Sequence, residues 1–250
     1  MADFIDKNSN LDGSSSAPLV AILLCTYNGA RFLAEQLDSL EAQTHQNWVV
    51  FASDDGSTDQ TLEILQQYQA KWAAGKLTIR SGPQKGFCQN FLSLACDPNV
   101  RADYYAFCDQ DDVWLSSKLE VAIKYFEGHA KNIARMYCGR TIYIKEDGRI
   151  TGESPCFVHP KTFRNALVQC VAGGNTMVFD ELAKLLLEKI GPVNVPSHDW
   201  WLYQLLSGHG GVVYFDLQPM VQYRQHPDSL IGENQSLSSK IDRLGMVLNG

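Results

Sequence analysis

Short apolar segments alternate with amphipathic segments along the first half of the chain. Leu19–Cys25, Trp48–Ala52, Leu77–Arg80 and Tyr104–Cys108 are four such segments, and their lengths are typical of buried strands. Between them, leucine and other apolar residues recur at helical spacing. Strands that alternate with helices predict a parallel sheet with right-handed crossover connections.

Two serines mark predicted helix starts in this half. Ser57 with Gln60, and Ser117 with Glu120, have the spacing of a capping box, in which two side chains satisfy the first backbone N–H groups of a helix. We therefore predict that helices begin at these two positions.

The rhythm changes after about residue 130. Asp147-Gly148 is a hairpin signal that follows a longer strand with partial alternation. The predicted elements are a strand at Met136–Lys145, helices at Glu181–Ile190 and Asp199–Leu206, and late strands of mixed direction at Val212–Phe215 and Met220–Tyr223. The predicted fold class is α/β and Rossmann-like, with a mostly parallel central sheet flanked by helices and a mixed C-terminal half.

The charge balance is acidic and excludes one broad class of partner. The 250 residues include 21 Lys or Arg and 28 Asp or Glu, which gives a formal net charge of -7, and no long basic run occurs. A nucleic-acid partner is not expected, because phosphate neutralisation needs clustered positive charge.

The cysteines and the N-terminus bear on location. Seven cysteines occur without a CxxC pair, which argues against a disulfide framework and a zinc site and favours reduced thiols in a cytoplasmic protein. Met1–Pro18 is polar and unlike a signal peptide, and the longest apolar run, Pro18–Cys25, is too short to span a bilayer. We expect a soluble cytoplasmic protein, with peripheral contact to a membrane left open.

Two acidic clusters directly follow predicted strands. Asp54-Asp55 follows the second strand, and Asp109-Gln110-Asp111-Asp112 follows the fourth. Parallel strands would bring both clusters to one crevice, because open α/β sheets bind ligands beyond the carboxyl ends of their strands. Crowded carboxylates repel one another unless a cation joins them, and such oxygen ligands favour Mg²⁺ or Mn²⁺. A single Asp-Asp pair at a strand end also fits a solvated loop or a helix cap.

Three motifs, in this order, resemble the inverting glycosyltransferases of family 2, which have the GT-A fold. They are Cys25–Gly29 with Gln43-Thr44 after the next helix, then Asp54–Asp59, then Asp109–Asp112, which resembles the DxD motif of that family. The resemblance covers residues 18–230, and its rhamnosyltransferase-type bacterial members are similar at Asp109–Trp114 and Tyr223–His226. Taken singly, each motif is weak; together they are specific.

The resemblance implies a function and domain limits. The expected enzyme moves a sugar from a nucleoside-diphosphate sugar, such as dTDP-rhamnose or a UDP-sugar, to a hydroxyl of a saccharide or lipid-linked saccharide acceptor in surface polysaccharide synthesis. The expected limits are a flexible tail at 1–17, a GT-A domain at 18–232, and a C-terminal helical segment at 233–250. Within the domain, 18–130 would be the nucleotide-binding half and 131–232 the acceptor and catalytic half.

Donor-binding roles also follow from the resemblance. Thr26, Tyr27 and Asn28 would line the base pocket, although Tyr27 fits simple packing almost equally well. Lys85 lies in a glycine-rich loop and fits either a phosphate contact or a solvated surface lysine. The complete set of expected nucleotide-sugar-binding residues is Thr26, Tyr27, Asn28, Asp54, Asp55, Lys85, Asp109, Gly174, Trp200 and Arg224.

The transfer reaction needs a base for the acceptor hydroxyl. Asp199 matches the position of the family's catalytic carboxylate, where other members often have Glu-Asp and this chain has His198-Asp199. The competing role for Asp199 is to cap the helix that follows. Trp200 or Trp201 would contribute to the sugar pocket, since aromatic faces stack on sugar C–H surfaces, while the other one packs in the core.

The expected cofactor is Mn²⁺ or Mg²⁺. Asp111 would be the direct ligand that bridges to the diphosphate, Asp109 would lie beside it, and Asp112 would support them. Arg224 and His226 both fit stabilisation of the departing diphosphate, and His226 is a third candidate ligand, although a lone histidine is more often structural.

Three other functions compete with glycosyl transfer. A metal-dependent phosphatase would use Asp109 as a nucleophile, but the further lysine and aspartates that it needs cannot be placed. A non-catalytic nucleotide- or carbohydrate-binding module would leave Asp199 dispensable. A dinucleotide-binding dehydrogenase is disfavoured, because no GxGxxG follows the first strand.

Overall fold

The computed structural model describes residues 17–157 and 160–226. Nearly all of the predicted tail at 1–17 and the whole of the predicted helical segment at 233–250 lie outside the described residues. The strands are β1 (Val20–Thr26), β2 (Trp48–Asp54), β3 (Leu77–Ser81), β4 (Tyr104–Cys108), β5 (Val113–Trp114), β6 (Arg135–Lys145), β7 (Ile150–Glu153), β8 (Val178–Asp180) and β9 (Val212–Gln225). The helices are α1 (Leu33–Glu41), α2 (Thr61–Lys71), α3 (Phe87–Ala95), α4 (Lys118–Glu127), α5 (Phe163–Ala166), α6 (Glu181–Ile190) and α7 (His198–Gly208), and a 3-10 turn at Gly174–Thr176 precedes β8.

The described strands form one sheet in the order β3-β2-β1-β4-β8-β6-β9-β5, with β7 paired to β6. The first four strands in this order are parallel to one another. β8 runs antiparallel to both β4 and β6, and β9 is parallel to β6 but antiparallel to β5. The α/β class, the parallel first half and the mixed C-terminal half are therefore confirmed.

Alternate residues of β1 face two separate cores. Val20, Ile22 and Leu24 pack in a cluster with apolar residues of α1, α2 and α4, whereas Ala21 and Leu23 pack in a cluster with residues of α3, α6 and α7. All five side chains have no exposed surface. Helices on both faces explain why the strand is apolar without alternation, as in other buried parallel strands.

The predicted capping box at Ser57 is wrong. α2 begins at Thr61, and the side chain that accepts a hydrogen bond from its first N–H is Asp59, with Oδ1 3.0 Å from Thr61 N. Ser57 Oγ instead donates to Asp54 Oδ1 and accepts a hydrogen bond from Asn28 N, at 2.5 and 2.8 Å. The serine is therefore used by the turn after β2, where a buried carboxylate needs donors more than the helix needs a cap.

The second predicted capping box gives the correct helix start without the predicted hydrogen bonds. Ser117 is the residue before α4, but its side chain does not cap the helix. Glu120 accepts hydrogen bonds from Thr44 Oγ1 and Lys124 Nζ, at 2.7 and 2.6 Å, and so faces outward.

The two predicted late strands are one strand, β9. Its pairing with β6 shifts between Gly139, which lies opposite Asp216, and Thr141, which lies opposite Val221. Between these two pairs, β6 advances by two residues and β9 by five, so β9 contains three extra residues at this point. This irregularity lies between the two segments that were predicted as separate strands. No helix in the described part of the chain has the length and apolar character needed to cross a bilayer.

Candidate active site

The carboxyl ends of β1, β2 and β4 lie side by side at one edge of the sheet. Thr26 is in register with Asp54, and Leu24 is in register with Cys108, the residue before Asp109. The parallel strands therefore bring the two acidic clusters together, as ligand sites of open α/β sheets require.

Asp54 organises the turn after β2. Its carboxylate is 5% exposed and accepts hydrogen bonds from Thr26 Oγ1 and Ser57 Oγ, at 2.8 and 2.5 Å. The backbone N–H groups of Gly56 and Ser57 donate to its other oxygen, at 3.2 and 2.9 Å. Four protein donors thus stabilise the charge of this carboxylate before any ligand binds.

Asp55 holds the loop that carries Lys85. Its two carboxylate oxygens accept hydrogen bonds from the backbone N–H groups of Gln84 and Gly86, at 2.6 and 2.8 Å. Lys85, between these two residues, is exposed to solvent. The structure therefore places Lys85 at the edge of the site and gives Asp55 a scaffolding contact.

Gln110 joins the first loop to the second acidic cluster. Its amide Nε2 donates to Tyr27 O, and Tyr27 N donates to Gln110 Oε1, both at 2.9 Å. A Cβ at Gly29 would lie 2.1 Å from Gln110 Oε1, so this close approach requires glycine. The Tyr27 ring itself is 58% exposed at the site, where it can stack on a ligand.

The second cluster concentrates negative charge in a desolvated place. Burial and the neighbouring charges of Asp112, Asp111 and Asp199 raise the pKa of Asp109 well above its usual range. Asp112 has no exposed surface, and burial together with the charge of Asp111 raises its pKa to about 7. Burial, with the same carboxylates nearby, also raises the pKa of Tyr223.

Asp111 contacts His226 directly. The distance from His226 Nε2 to Asp111 Oδ2 is 2.8 Å, and the imidazole packs against the ring of Phe32, with 5.3 Å between the centroids. These two side chains, predicted as metal ligands from distant parts of the sequence, are thus neighbours in the fold.

Arg224 is buried and contacts both Asp111 and Asp112. It is 1% exposed, its Nε donates to Asp111 O at 2.9 Å, and its terminal nitrogens contact Glu35 Oε2 and Glu146 O, at 2.5 and 2.9 Å. Its backbone N donates to Asp112 Oδ1 at 3.1 Å. The guanidinium is directed at protein acceptors, which does not favour the predicted contact with a donor diphosphate.

The 3-10 turn bridges the acidic cluster and the candidate base. Asn175 Nδ2 donates to Asp112 Oδ2 at 2.5 Å, and Gly174 N donates to Asp199 Oδ2 at 2.9 Å. Lys118 has no exposed surface, and its Nζ donates to Asn175 O at 2.8 Å and lies 3.1 Å from the centroid of the Trp114 ring. Burial lowers the pKa of Lys118 to about 7, although nearby Cys108, Asp112 and Asp109 favour its charged form.

Asp199 is fixed by its own helix start and by this turn. It is 7% exposed, and its Oδ1 accepts hydrogen bonds from Ser197 Oγ and Trp200 N. α7 begins at His198, so Asp199 is its second residue and not the residue that precedes the helix. The hydrogen bond from Trp200 N to its carboxylate lies within the first turn of α7 and is compatible with a catalytic role. Trp200 is half-buried and donates from Nε1 to Ala166 O at 2.6 Å.

His198 fills an aromatic pocket beneath this turn. Its ring stacks on Phe91, with 4.0 Å between the centroids, and meets the edge of Phe107. Both ring nitrogens are buried without a hydrogen-bond partner, and burial lowers the pKa of His198 to about 4. His198 is therefore a neutral imidazole at the position before Asp199, where the sequence resemblance implies that other members often have a glutamate.

The donor set fits a metal shared with a substrate. No three His, Cys, Asp or Glu side chains surround a common metal position in residues 17–157 and 160–226. Asp111 and His226 nevertheless lie in contact beside the crowded carboxylate of Asp109. Mg²⁺ and Mn²⁺ are commonly held by one or two carboxylates, with water and substrate phosphates completing the shell, and a dication would relieve this repulsion.

The structure adds residues that the sequence patterns did not assign. Lys118 was hidden in a predicted capping box, and Asn175 in a short glycine-rich turn. Gln110 was visible only as the spacer of the acidic motif. None of the three has a spacing signal of its own, because their partners lie in loops and turns far along the chain.

The sequence of this chain matches a known protein family. Residues 21–186 match the model of Glycosyl transferase family 2. The chain belongs to this family. It is therefore a nucleotide-sugar-dependent glycosyltransferase, which sets aside the phosphatase and the non-catalytic module as alternatives.

Two bacterial relatives illustrate the similarity in sequence. The chain is 31% identical to the dTDP-rhamnosyl transferase RfbG of Shigella flexneri over 235 residues, which cover 90% of this chain and 79% of that protein. It is 26% identical over 188 residues to the putative teichuronic acid biosynthesis glycosyltransferase TuaG of Bacillus subtilis, covering 72% of this chain and 67% of TuaG.

Solved structures show the same GT-A fold. TarS 1-349 of S. aureus in complex with UDP-GlcNAc gives a TM-score of 0.66 at 17% identity, over 84% of this chain and 59% of that one. The mannosyltransferase PcManGT of Pyrobaculum calidifontis, in complex with GDP-Man and Mn²⁺, gives 0.65 at 17% identity, over 94% and 63%. This chain thus spans about six-tenths of the length of these two structures.

Proposed function

We propose that this glycosyltransferase moves a sugar, with inversion, from a nucleoside-diphosphate sugar to a hydroxyl of a saccharide acceptor. A deoxysugar donor such as dTDP-rhamnose is the first candidate, because the relative with 31% identity over most of this chain is a dTDP-rhamnosyl transferase. Surface polysaccharide synthesis is the proposed context, and the acceptor is a saccharide or a lipid-linked saccharide.

One observation carries the mechanism: a single turn holds the acidic cluster and the candidate base. Asn175 contacts Asp112, and the adjacent Gly174 contacts Asp199. A nucleophile activated at Asp199 would therefore attack a sugar whose diphosphate lies at Asp109 and Asp111. Single displacement needs this arrangement of base and leaving group on fixed elements.

Each half of the domain has a role in this proposal. Residues 18–130 bind the nucleotide, with Tyr27 stacking on the base, Thr26, Asn28, Asp54 and Asp55 shaping its pocket, and Lys85 at the phosphate edge. Residues 131–232 supply the acceptor side, where Gly174 holds Asp199 through its backbone N–H and Trp200 forms one wall of the sugar pocket. Arg224 acts by positioning the acidic cluster, because its guanidinium is buried among protein acceptors.

Asp199 takes the proton from the acceptor hydroxyl while the sugar–phosphate bond breaks. Three donors, Ser197 Oγ and the N–H groups of Gly174 and Trp200, keep this carboxylate in one orientation. A Mn²⁺ or Mg²⁺ ion held by Asp111, with Asp109 and His226 beside it, would supply charge stabilisation for the departing nucleoside diphosphate.

The test compares Asp199→Asn with Asp103→Asn, a carboxylate at the opposite end of the sheet whose Oδ2 accepts from Leu19 N. With dTDP-rhamnose, Mn²⁺ and a panel of saccharide acceptors, D199N should lose about 10²- to 10⁴-fold in turnover. It should keep the donor-dependent rise in melting temperature, since donor binding does not need the base. D103N should match the wild type. Full turnover by D199N would refute the assigned base, and a UDP-sugar preferred over dTDP-rhamnose would refute the assigned donor.

A further inference from the structure

One stretch of the chain carries no acidic residue. Between Glu153 and Asp180 the sequence contains neither Asp nor Glu, although the chain has 28 of them in 250 residues. Lys161 and Arg164 lie within this stretch, so its formal charge is positive in a protein whose net charge is -7. α5 is the helix of this stretch, and Arg164 on it is exposed.

The same stretch exposes large apolar side chains. Phe163, Leu167 and Val168 are 44%, 56% and 77% exposed, and Val168 is the most exposed of the large hydrophobic residues in the described part of the chain. Soluble surfaces seldom gather apolar side chains in this way without a binding partner. We call Phe163, Arg164, Leu167 and Val168 the α5 surface.

An open groove with a mixed polar and apolar lining includes residues just before the α5 surface in the sequence. Its volume is about 440 Å³, and its lining includes Phe157, Pro160, Lys161, Phe215 and Leu217. Lys161 Nζ donates to Phe157 O at 2.7 Å and lies 5.1 Å from the centroid of the Phe215 ring. The groove therefore combines aliphatic and aromatic walls with a cation at its rim.

A carboxylate on β9, next in sequence to the groove residue Phe215, has hydrogen-bond partners of its own. Asp216 follows Phe215 on β9, but its Oδ2 accepts from Tyr137 OH at 2.7 Å and its Oδ1 accepts from Gln218 N at 2.9 Å. Asp216 is thus oriented by donors on β6 and β9, and the exposed Arg164 supplies positive charge on the α5 surface.

The α5 surface adjoins the candidate base. Ala166 O, at the last residue of α5, accepts hydrogen bonds from Trp200 Nε1 and Gln204 Nε2 on α7, at 2.6 and 3.2 Å. Asp199 is the second residue of α7. An acceptor anchored in a lipid surface at α5 would thus have its sugar close to the base.

We infer that the α5 surface and its groove dock the protein on an anionic lipid bilayer. Apolar side chains enter the headgroup boundary, and the flanking Lys161 and Arg164 are attracted to anionic lipids, as in other peripheral membrane proteins. The net charge of -7 opposes the approach of the chain as a whole to an anionic surface, so binding would depend on a surface where positive charge is concentrated. This inference goes beyond the proposed function and is tested without any sugar transfer.

The test is co-sedimentation of the full chain with vesicles of phosphatidylcholine alone or with 30 mol% (about one lipid in three) phosphatidylglycerol. Wild-type protein should bind the anionic vesicles and bind phosphatidylcholine several-fold more weakly. Leu167→Ser with Val168→Ser should reduce binding about ten-fold, and Arg164→Glu about five-fold or more. Each variant should unfold at the wild-type temperature, because the replaced side chains are exposed.

A matched control is offered by the hairpin at β7. Ile150, 61% exposed, and its exposed neighbour Arg149 have the same chemistry as Leu167 and Arg164, so Ile150→Ser and Arg149→Glu should leave vesicle binding unchanged. Equal binding by wild type and L167S/V168S, or no binding to either vesicle, would overturn the inference. So would a concentration-dependent dimer in ultracentrifugation that L167S/V168S abolishes, because a second copy would then cover this surface. Loss of transfer with intact vesicle binding would bear only on the proposed function.

Discussion

The two acidic clusters at the sheet edge differ in how their charge is stabilised. Asp54 and Asp55, after β2, accept hydrogen bonds from backbone N–H groups and hydroxyls of the surrounding loops. Asp109 and Asp112, after β4, are crowded with further carboxylates, and burial raises the pKa of both. The carboxylates of the first cluster are therefore satisfied by protein donors, whereas the second cluster is the place where we propose that a cation binds.

The largest expected effect is a loss of activity on substitution in the second cluster, compared with a loss of stability on substitution in the first. Asp111→Asn should lower kcat/KM by about 10³-fold and abolish the rise in melting temperature caused by Mn²⁺, because it removes the candidate bridging ligand. Asp54→Asn should instead cost about 1–3 kcal/mol of unfolding free energy, since an amide NH₂ would face the donors of Ser57 and Gly56. Steady-state kinetics and denaturant unfolding measure both. If the two variants changed activity and stability equally, the proposed difference in role between the two clusters would be wrong.

The next effect concerns the turn that joins the second cluster to the base. A Cβ at Gly174 would lie 2.7 Å from His198 Nε2 and 3.2 Å from Asp199 Cβ. Gly174→Ala should therefore displace the base and lower kcat by about 10- to 100-fold, with a loss of about 1–3 kcal/mol in stability. Gly128→Ala is the control, because its nearest contact would be 3.7 Å and its φ is -79°. Near-normal kcat in G174A would show that the turn does not position Asp199.

A third prediction uses pH. Burial raises the pKa of Asp112 to about 7, from an ordinary value of 3.8. Between these two pH values, the carboxyl is protonated in the folded state and ionised in the unfolded state. This carboxylate therefore destabilises the apoprotein increasingly as pH rises from about 4 to 7. Asp112→Asn should remove that contribution.

The measurement is the difference between the unfolding free energies of wild type and D112N across this range. His198 contributes with the opposite sign between its lowered pKa, about 4, and its ordinary value, 6.5, but this contribution is present in both proteins and cancels. The charge of Asp112 also helps to raise the pKa of Asp109, so the difference includes the part of the Asp109 contribution that depends on Asp112, with the same sign. A difference that stays constant from pH 4 to 7 would contradict the raised pKa of Asp112.

The smallest expected effect falls on the link between the clusters. Gln110→Ala removes two hydrogen bonds to the Tyr27 backbone and should cost about 1–2 kcal/mol of stability. The donor KM should rise several-fold with little change in kcat, because Tyr27 would lose its support while the base remains in place. Gln66→Ala, on the exposed face of α2, is the control. A fall in kcat alone would mean that Gln110 acts on the second cluster instead.

Local pattern was sufficient for the strands and for the edge of the sheet where ligands bind. β4 and α6 have the predicted bounds, and the parallel half follows from apolar runs separated by helices. Ser57 misled the capping prediction, because a serine three residues before a glutamine can equally serve a buried carboxylate. Sequence spacing does not distinguish these uses, since both need a hydroxyl after a strand.

The amino-acid sequence by itself determined the α/β alternation, the family motifs and the pairs of aspartates that follow β2 and β4. Only the tertiary structure decided that Arg224 is buried beneath Asp111, that Lys118 reaches Asn175, and that one turn contacts both Asp112 and Asp199. The reason is physical. Periodicity records which face of an element is buried, but a hydrogen bond or a pKa depends on groups that the fold brings together from far along the chain.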